Sequence, residues 1–138
     1  MLPSDFEIST DRARIDVDMV HRFLTTSYWA EGRSREVVER SIANSISFGG
    51  YSAGRQIAFG RIVTDRAVFA YLADIFVVPE FRGRGVSKRL LRAMLDHPDL
   101  ATVKGIHLRT RDAHGLYAQF GFTPIDDPSE LMMRRRET

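Results

Sequence analysis

A strand that runs through a basic two-glycine loop straight into an amphipathic helix constrains this chain more than any other feature. Residues 75–91 read IFVVPEFRGRGVSKRLL. The β-branched and aromatic run before Pro79 suits a buried strand. From Val86, the apolar residues Val86, Leu90, Leu91, Met94 and Leu95 recur on one face of a helix. Between strand and helix, Gly83 and Gly85 permit left-handed backbone and put no Cβ in a ligand's way. A helix N-terminus presents free N–H groups and the positive end of the helix dipole. With Arg82, Arg84 and Lys88 alongside, the segment suits a small polyanion such as a pyrophosphate. The same residues also fit an ordinary basic turn before a surface helix. Neither the phosphate-loop pattern GxxxxGK[ST] nor the dinucleotide pattern GxGxxG is present.

The flanking sequence sets the architecture. Val17, Val20, Phe23 and Leu24 have helical spacing after Asp16, a capping residue. Ser34 suits the cap of a second helix carrying Val38, Ile42 and Ile46, with Glu36 in its first turn. Residues 47–51, 57–64 and 68–78 read as strands joined by turns at 52–55 and near Asp65, which predicts an antiparallel meander. Residues 103–110 read as a further strand, reached by a parallel crossover through the helix at 86–95. A short helix over about 113–120 follows, with Asp112 as its N-cap and Gly121 at its C-cap, and a last strand is expected at 130–134. The expected fold is therefore an α/β mixed sheet, mostly antiparallel with one parallel crossover and helices on both faces. It forms a single domain, 1–138, and no linker or repeat interrupts it.

Composition narrows the function classes. The 138 residues contain no cysteine, which excludes disulfides, thiolate metal sites and cysteine nucleophiles and suits a reducing cytoplasm. Twenty Lys and Arg stand against 18 Asp and Glu, too even a balance for a nucleic-acid-binding surface. The histidines, at 21, 97, 107 and 114, lack ligand spacing, so no metal site is expected. The opening MLPSDFEISTDR carries acids and no apolar run, so neither a secretory leader nor a membrane anchor is expected there.

A second motif lies 32 residues beyond Gly85: Gly115-Leu116-Tyr117-Ala118-Gln119-Phe120-Gly121-Phe122. Leu116, Phe120 and Phe122 fit a core stripe. Together the two motifs resemble those of the GNAT superfamily of acyl-CoA-dependent N-acyltransferases. Its [QR]-x-x-G-x-[GA] signature is matched by Arg82-Gly83-Arg84-Gly85-Val86-Ser87 after Val77-Val78-Pro79, and its L-Y-x-x-x-G-F signature by residues 116–122. The element order agrees from about Asp5 onward. Ser87 replaces the last small residue of the first signature, and Thr110 stands where the family often has an asparagine.

The resemblance implies acetyl-CoA as acyl donor and a small-molecule or peptide amine as acceptor. It places the pyrophosphate on Arg82, Gly83, Arg84, Gly85, Val86, Ser87 and Lys88. The pantetheine arm lies between two parted strands, near Phe76, Val77 and Thr110. A backbone N–H near Val77 polarises the thioester carbonyl. Tyr117 corresponds to the general acid, and a phenol is protonated at neutral pH. Asp74, on the strand leading to the loop, is a candidate base and equally a structural aspartate; Glu31 and His114 are further candidates. Tyr28, Trp29 and Glu31 are candidates for holding the amine, although Trp29, the only tryptophan, also fits a core position. Homodimers are common in the family. The competing expectation is a coenzyme A sensor of the same fold without turnover.

Overall fold

The computed structural model describes residues 1–136, so the last two residues of the 1–138 unit lie outside the described residues. The chain runs β1 (Glu7–Ser9), α1 (Val17–Thr25), α2 (Arg35–Ala43), β2 (Ile46–Ser52), β3 (Arg55–Thr64), β4 (Phe69–Val77), α3 (Val86–Leu95), β5 (Gly105–His107) and α4 (His114–Ala118). The five strands stand side by side in chain order. Pairs β1–β2, β2–β3 and β3–β4 are antiparallel, and β4–β5 is parallel. The expected mixed sheet and crossover are therefore both present. Among the described residues, no helix is long and apolar enough to cross a membrane.

Local chemistry explains the element boundaries. The Asp16 carboxylate accepts from the Met19 N–H at the start of α1, and the Ser34 hydroxyl accepts from the Val37 N–H at the start of α2. Ala53 and Gly54 both have positive φ, 51° and 73°, which matches the tight turn between β2 and β3. After α4, the Gly121 N–H donates to Ala118 and the Phe122 N–H to Tyr117, with Gly121 at φ 88°. This is the left-handed glycine cap expected at that position.

Helices cover both faces of the sheet. On one face, Leu90, Leu91 and Met94 of α3 are fully buried against a cluster that includes Ile46, Phe48 and Ile62. On the other, Val20 and Leu24 of α1 and Val38 and Ile42 of α2 pack with Phe59 and Phe76. Phe23 stacks on Phe76 at 3.9 Å.

Four expectations need correction. Ile46, expected on the second helix, instead opens β2, since α2 ends at Ala43. Residues 130–134 form no strand, because Leu131, Met132 and Met133, whose apolar run suggested one, are 70%, 89% and 60% exposed and pair with nothing among the described residues. The strand expected at 103–110 is only Gly105–His107, since the chain leaves β4 after three register pairs. Asp112 does not cap α4; instead the Thr110 hydroxyl accepts from the Ala113 N–H. β1 was not foreseen, being only three residues long.

The irregularity that matters most is in β4. Register passes from Arg61↔Ala73 to Phe59↔Phe76, so Asp74 and Ile75 together oppose Gly60. This is a β-bulge, and Asp74 takes φ 55°. Gly60 has no room for a side chain: a Cβ there would lie 2.8 Å from Met94 Sδ and 3.2 Å from Ile75 Cγ1. Gly60→Val is therefore expected to destabilise the fold by about 1–3 kcal/mol through overpacking, read as a lowered midpoint in thermal unfolding. An unchanged midpoint would mean that Met94 and Ile75 yield freely.

Candidate active site

The loop before α3 leaves an unusual density of free donors. Gly83 and Gly85 lie at φ 74° and 81°, with nothing within 4 Å of where a Cβ would stand. The Arg82 N–H bonds to Pro79 and the Arg89 N–H to Gly85. The N–H groups of residues 83–88, between them, meet no acceptor among the described residues. Such a run at a ten-residue helix start has the donors and the dipole that would suit an anion. Arg82 stays beside it, its Nε donating to the Val77 carbonyl at 3.0 Å. Arg84 instead stacks on Phe81 and donates to the Met1 carbonyl, and Lys88 lies exposed on α3, so neither borders the cavity in front of the loop.

From that loop a cavity of about 780 Å³ extends along β4. Phe76, Val77, Gly83, Gly85, Val86 and Ser87 line it. One edge of β4 is open there because β5 has already ended. The Val78 N–H donates to Ile57 at 2.9 Å, and Val77 faces Ala58. Successive N–H groups point to opposite edges of a strand. The Val77 N–H is thus directed away from β3, into the gap where β4 and β5 part.

A second cavity, of about 820 Å³, lies beyond the gap. The two share a wall made of Tyr28, Trp29, Ile75, Asp112, Ala113 and Tyr117. Tyr117 sits on α4 with its ring edge-on to Phe122 at 5.9 Å. Burial raises the phenol above its ordinary pKa of 10.0, with smaller contributions from Tyr28 and Asp112. The hydroxyl therefore keeps its proton throughout the neutral range and can donate it.

Asp74 is engaged as a clamp. Its Oδ1 accepts from the Trp29 indole at 2.9 Å, and its Oδ2 from Arg33 Nη1 and Arg61 Nε, both at 2.8 Å. The side chain is 3% exposed. A carboxylate facing two guanidiniums and an indole N–H has its lone pairs committed, so the structure favours the structural reading of Asp74, with side-chain rather than backbone donors. Trp29 is held on the cavity wall by this bond, 40% exposed and edge-on to Tyr28, which corrects the core reading. Glu31 and His114 border neither cavity. Thr110 borders only the second, its hydroxyl already bonded to Ala113. Sequence reasoning missed Arg61 and the pairing of Arg33 with Asp74, because only the fold brings positions 33, 61 and 74 together.

The comparisons with known proteins point to one family. A family model described as an acetyltransferase (GNAT) domain matches residues 43–124. The crystal structure of a GNAT-family protein from Xanthomonas campestris pv. campestris, provisionally described as an acetyltransferase, is 46% identical with a TM-score of 0.93 and covers 98% of this chain and 96% of its own. A predicted acetyltransferase of Clostridium acetobutylicum, crystallised with acetyl-CoA, shares the fold at 17% identity and a TM-score of 0.71, over 94% of each chain. A curated Gibberella zeae protein, also provisionally named an acetyltransferase, is 26% identical over 110 residues, 65% of this chain. The chain spans 62% of that relative's length.

Two outcomes follow from the site's electrostatics. Asp74→Asn keeps an acceptor for the indole but removes the charge facing two arginines, so stability is expected to fall by about 3 kcal/mol while the pH–rate profile keeps its shape. Loss of the acidic limb of that profile would instead make Asp74 the base. Because the raised pKa keeps Tyr117 protonated to higher pH, any loss of rate through its ionisation belongs above pH 10. An alkaline limb at neutral pH that vanishes in Tyr117→Phe would contradict this placement.

Proposed function

Since the chain belongs to the GNAT acetyltransferase family, we propose that it transfers an acetyl group from acetyl-CoA to a primary amine by direct attack in a ternary complex. The observation that carries this reading is the shared wall. A cavity leading from the N–H-rich loop and a cavity open to a second molecule meet at a wall that carries Tyr117.

Each part of the chain then has a role. The N–H groups of residues 83–88 and the Arg82 side chain hold the pyrophosphate, with the dipole of α3 adding to the field. Arg84 and Lys88 act only through that field. The open edge of β4 offers backbone partners to the pantetheine arm, in the manner of an added strand. The Val77 N–H donates to the thioester carbonyl oxygen and strengthens that bond as negative charge builds there. The amine nitrogen enters from the second cavity and bonds to the carbonyl carbon. As the carbon–sulfur bond breaks, Tyr117 gives its proton to the departing thiolate, and the proton that the nitrogen sheds on becoming an amide passes to solvent, from which the phenol is restored. No residue of the chain becomes acylated, which agrees with a chain that lacks cysteine. Asp74 serves as a positioning residue: it fixes Trp29 on the common wall and maintains the bulge that aims Val77.

Thermal unfolding with and without acetyl-CoA is the direct test. At a hundredfold excess over Kd, binding to the folded state adds about 2.7 kcal/mol, so the midpoint should rise by several degrees. Gly85→Glu, which places a carboxylate in the N–H-rich loop, should abolish the rise. Tyr117→Phe should retain it while lowering kcat about a hundredfold or more. A midpoint indifferent to acetyl-CoA and to free coenzyme A would refute the cofactor assignment. A rise without thiol release against a broad amine panel would point to the coenzyme A sensor.

A further inference from the structure

The second cavity carries a charge that acetyl transfer itself does not use. Arg33, Arg61, Arg109, Arg111 and Arg135 border it, against only two carboxylates, Asp74 and Asp112. Five positive groups against two negative ones leave a net of three positive charges on the wall of a single cavity. Asp74 is spent on Arg33 and Arg61. Arg109, Arg111 and Arg135 have no carboxylate partner among the described residues.

Their placement is specific. Arg109 and Arg111 stand two residues apart on the segment that leaves β5, and both border the cavity. The Arg111 guanidinium lies over the Tyr28 ring, 3.7 Å from its centroid, and its backbone N–H donates to the Tyr28 hydroxyl at 3.3 Å. That stack ties the chain after β5 to the chain after α1 and occupies one face of the guanidinium. The N–H groups at its edge stay available, and a planar fork of this kind matches the oxygens of a carboxylate or phosphate.

A simple alkylamine is a cation at neutral pH and is repelled by such a wall. We propose that the acceptor of this enzyme is a primary amine that also bears a carboxylate or phosphate, with Arg109, Arg111 and Arg135 binding the acidic group. This deepens the acetyl-transfer reading and rests on it. The acidic group sits among the arginines while the amine faces Tyr117 on the common wall. The positive field also disfavours the ammonium form relative to the free amine. The nucleophile is thus obtained by losing its proton to water, without a dedicated carboxylate base, consistent with the commitment of Asp74.

The experiment compares acceptors that share an amine and differ in the acidic group: O-phosphoethanolamine against ethanolamine, and β-alanine against n-propylamine. Thiol release gives kcat/KM for each. The acidic member of at least one pair is expected to lead by about tenfold or more, the size of one charge-assisted hydrogen bond. Arg109→Gln and Arg135→Gln, both at exposed positions, should each narrow the lead severalfold, chiefly through KM, and added salt should narrow it too. In parallel, both acidic probes are titrated into protein saturated with coenzyme A. The fluorescence of Trp29, the only tryptophan and part of the cavity wall, reports binding. Saturable quenching that weakens in both variants supports the proposal even where turnover is slow. Neutral amines serving as well as acidic ones, or no saturable quenching by either acidic probe, would overturn it. The acetyl-CoA midpoint shift is recorded on the same samples: its absence in the parent protein marks failure of the acetyl-transfer reading, whereas its presence with no acidic preference marks failure of this inference alone.

Discussion

The bulge in β4 depends on Asp74 holding a left-handed backbone angle that a residue with a Cβ adopts at a cost of about 1–2 kcal/mol. Three donors offset that cost: the Trp29 indole, Arg33 and Arg61. Two of these come from the connection between α1 and α2 and one from β3, so a single carboxylate joins three parts of the chain. Gly60 completes the arrangement from the opposite strand by leaving space for Met94 and Ile75. The consequences reach the site in two directions. Past the bulge, β4 is aimed so that Val77 presents its N–H to the gap. Across the gap, Trp29 is fixed as a wall between the two cavities.

Charge is distributed unevenly over this frame. The proposed anion site relies on backbone groups: residues 83–88 offer N–H donors with Arg82 nearby, while Arg84 and Lys88 stay outside the cavity. Backbone donors on a helix start are positioned by the fold at little entropic cost, which suits a ligand bound in the same way each time. The second cavity relies on side chains instead. Its arginines come from four separate places in the sequence and surround a space of similar size. Between them lies Tyr117, a half-buried phenol whose raised pKa keeps its proton at neutral pH.

Much of the fold was legible because its signals are local. Caps at Asp16 and Ser34, the two-residue turn at Ala53 and Gly54, and the glycine cap at Gly121 each depend on a few adjacent residues. The helix from Val86 and the crossover after it follow from apolar spacing. The signals that misled were also local. Leu131, Met132 and Met133 read as a strand, but a strand needs a neighbour, and β5 is too short to supply one. Asp112 read as the cap of α4, but Ala113 stands at that position and no side chain caps the helix.

The sequence by itself determined the strand, glycine loop and helix, the late tyrosine motif, and through them the family. These depend on backbone chemistry written in consecutive residues. Only the tertiary structure decided what Asp74 does, which face Trp29 shows, and which arginines gather around the second cavity. Those properties arise from residues separated by tens of positions, such as Trp29 and Asp74 or Arg33 and Arg111. Their charges add, and their hydrogen bonds form, only once the packed sheet brings them within a few ångströms, because electrostatic and hydrogen-bond energies depend on distance in space and not on distance along the chain.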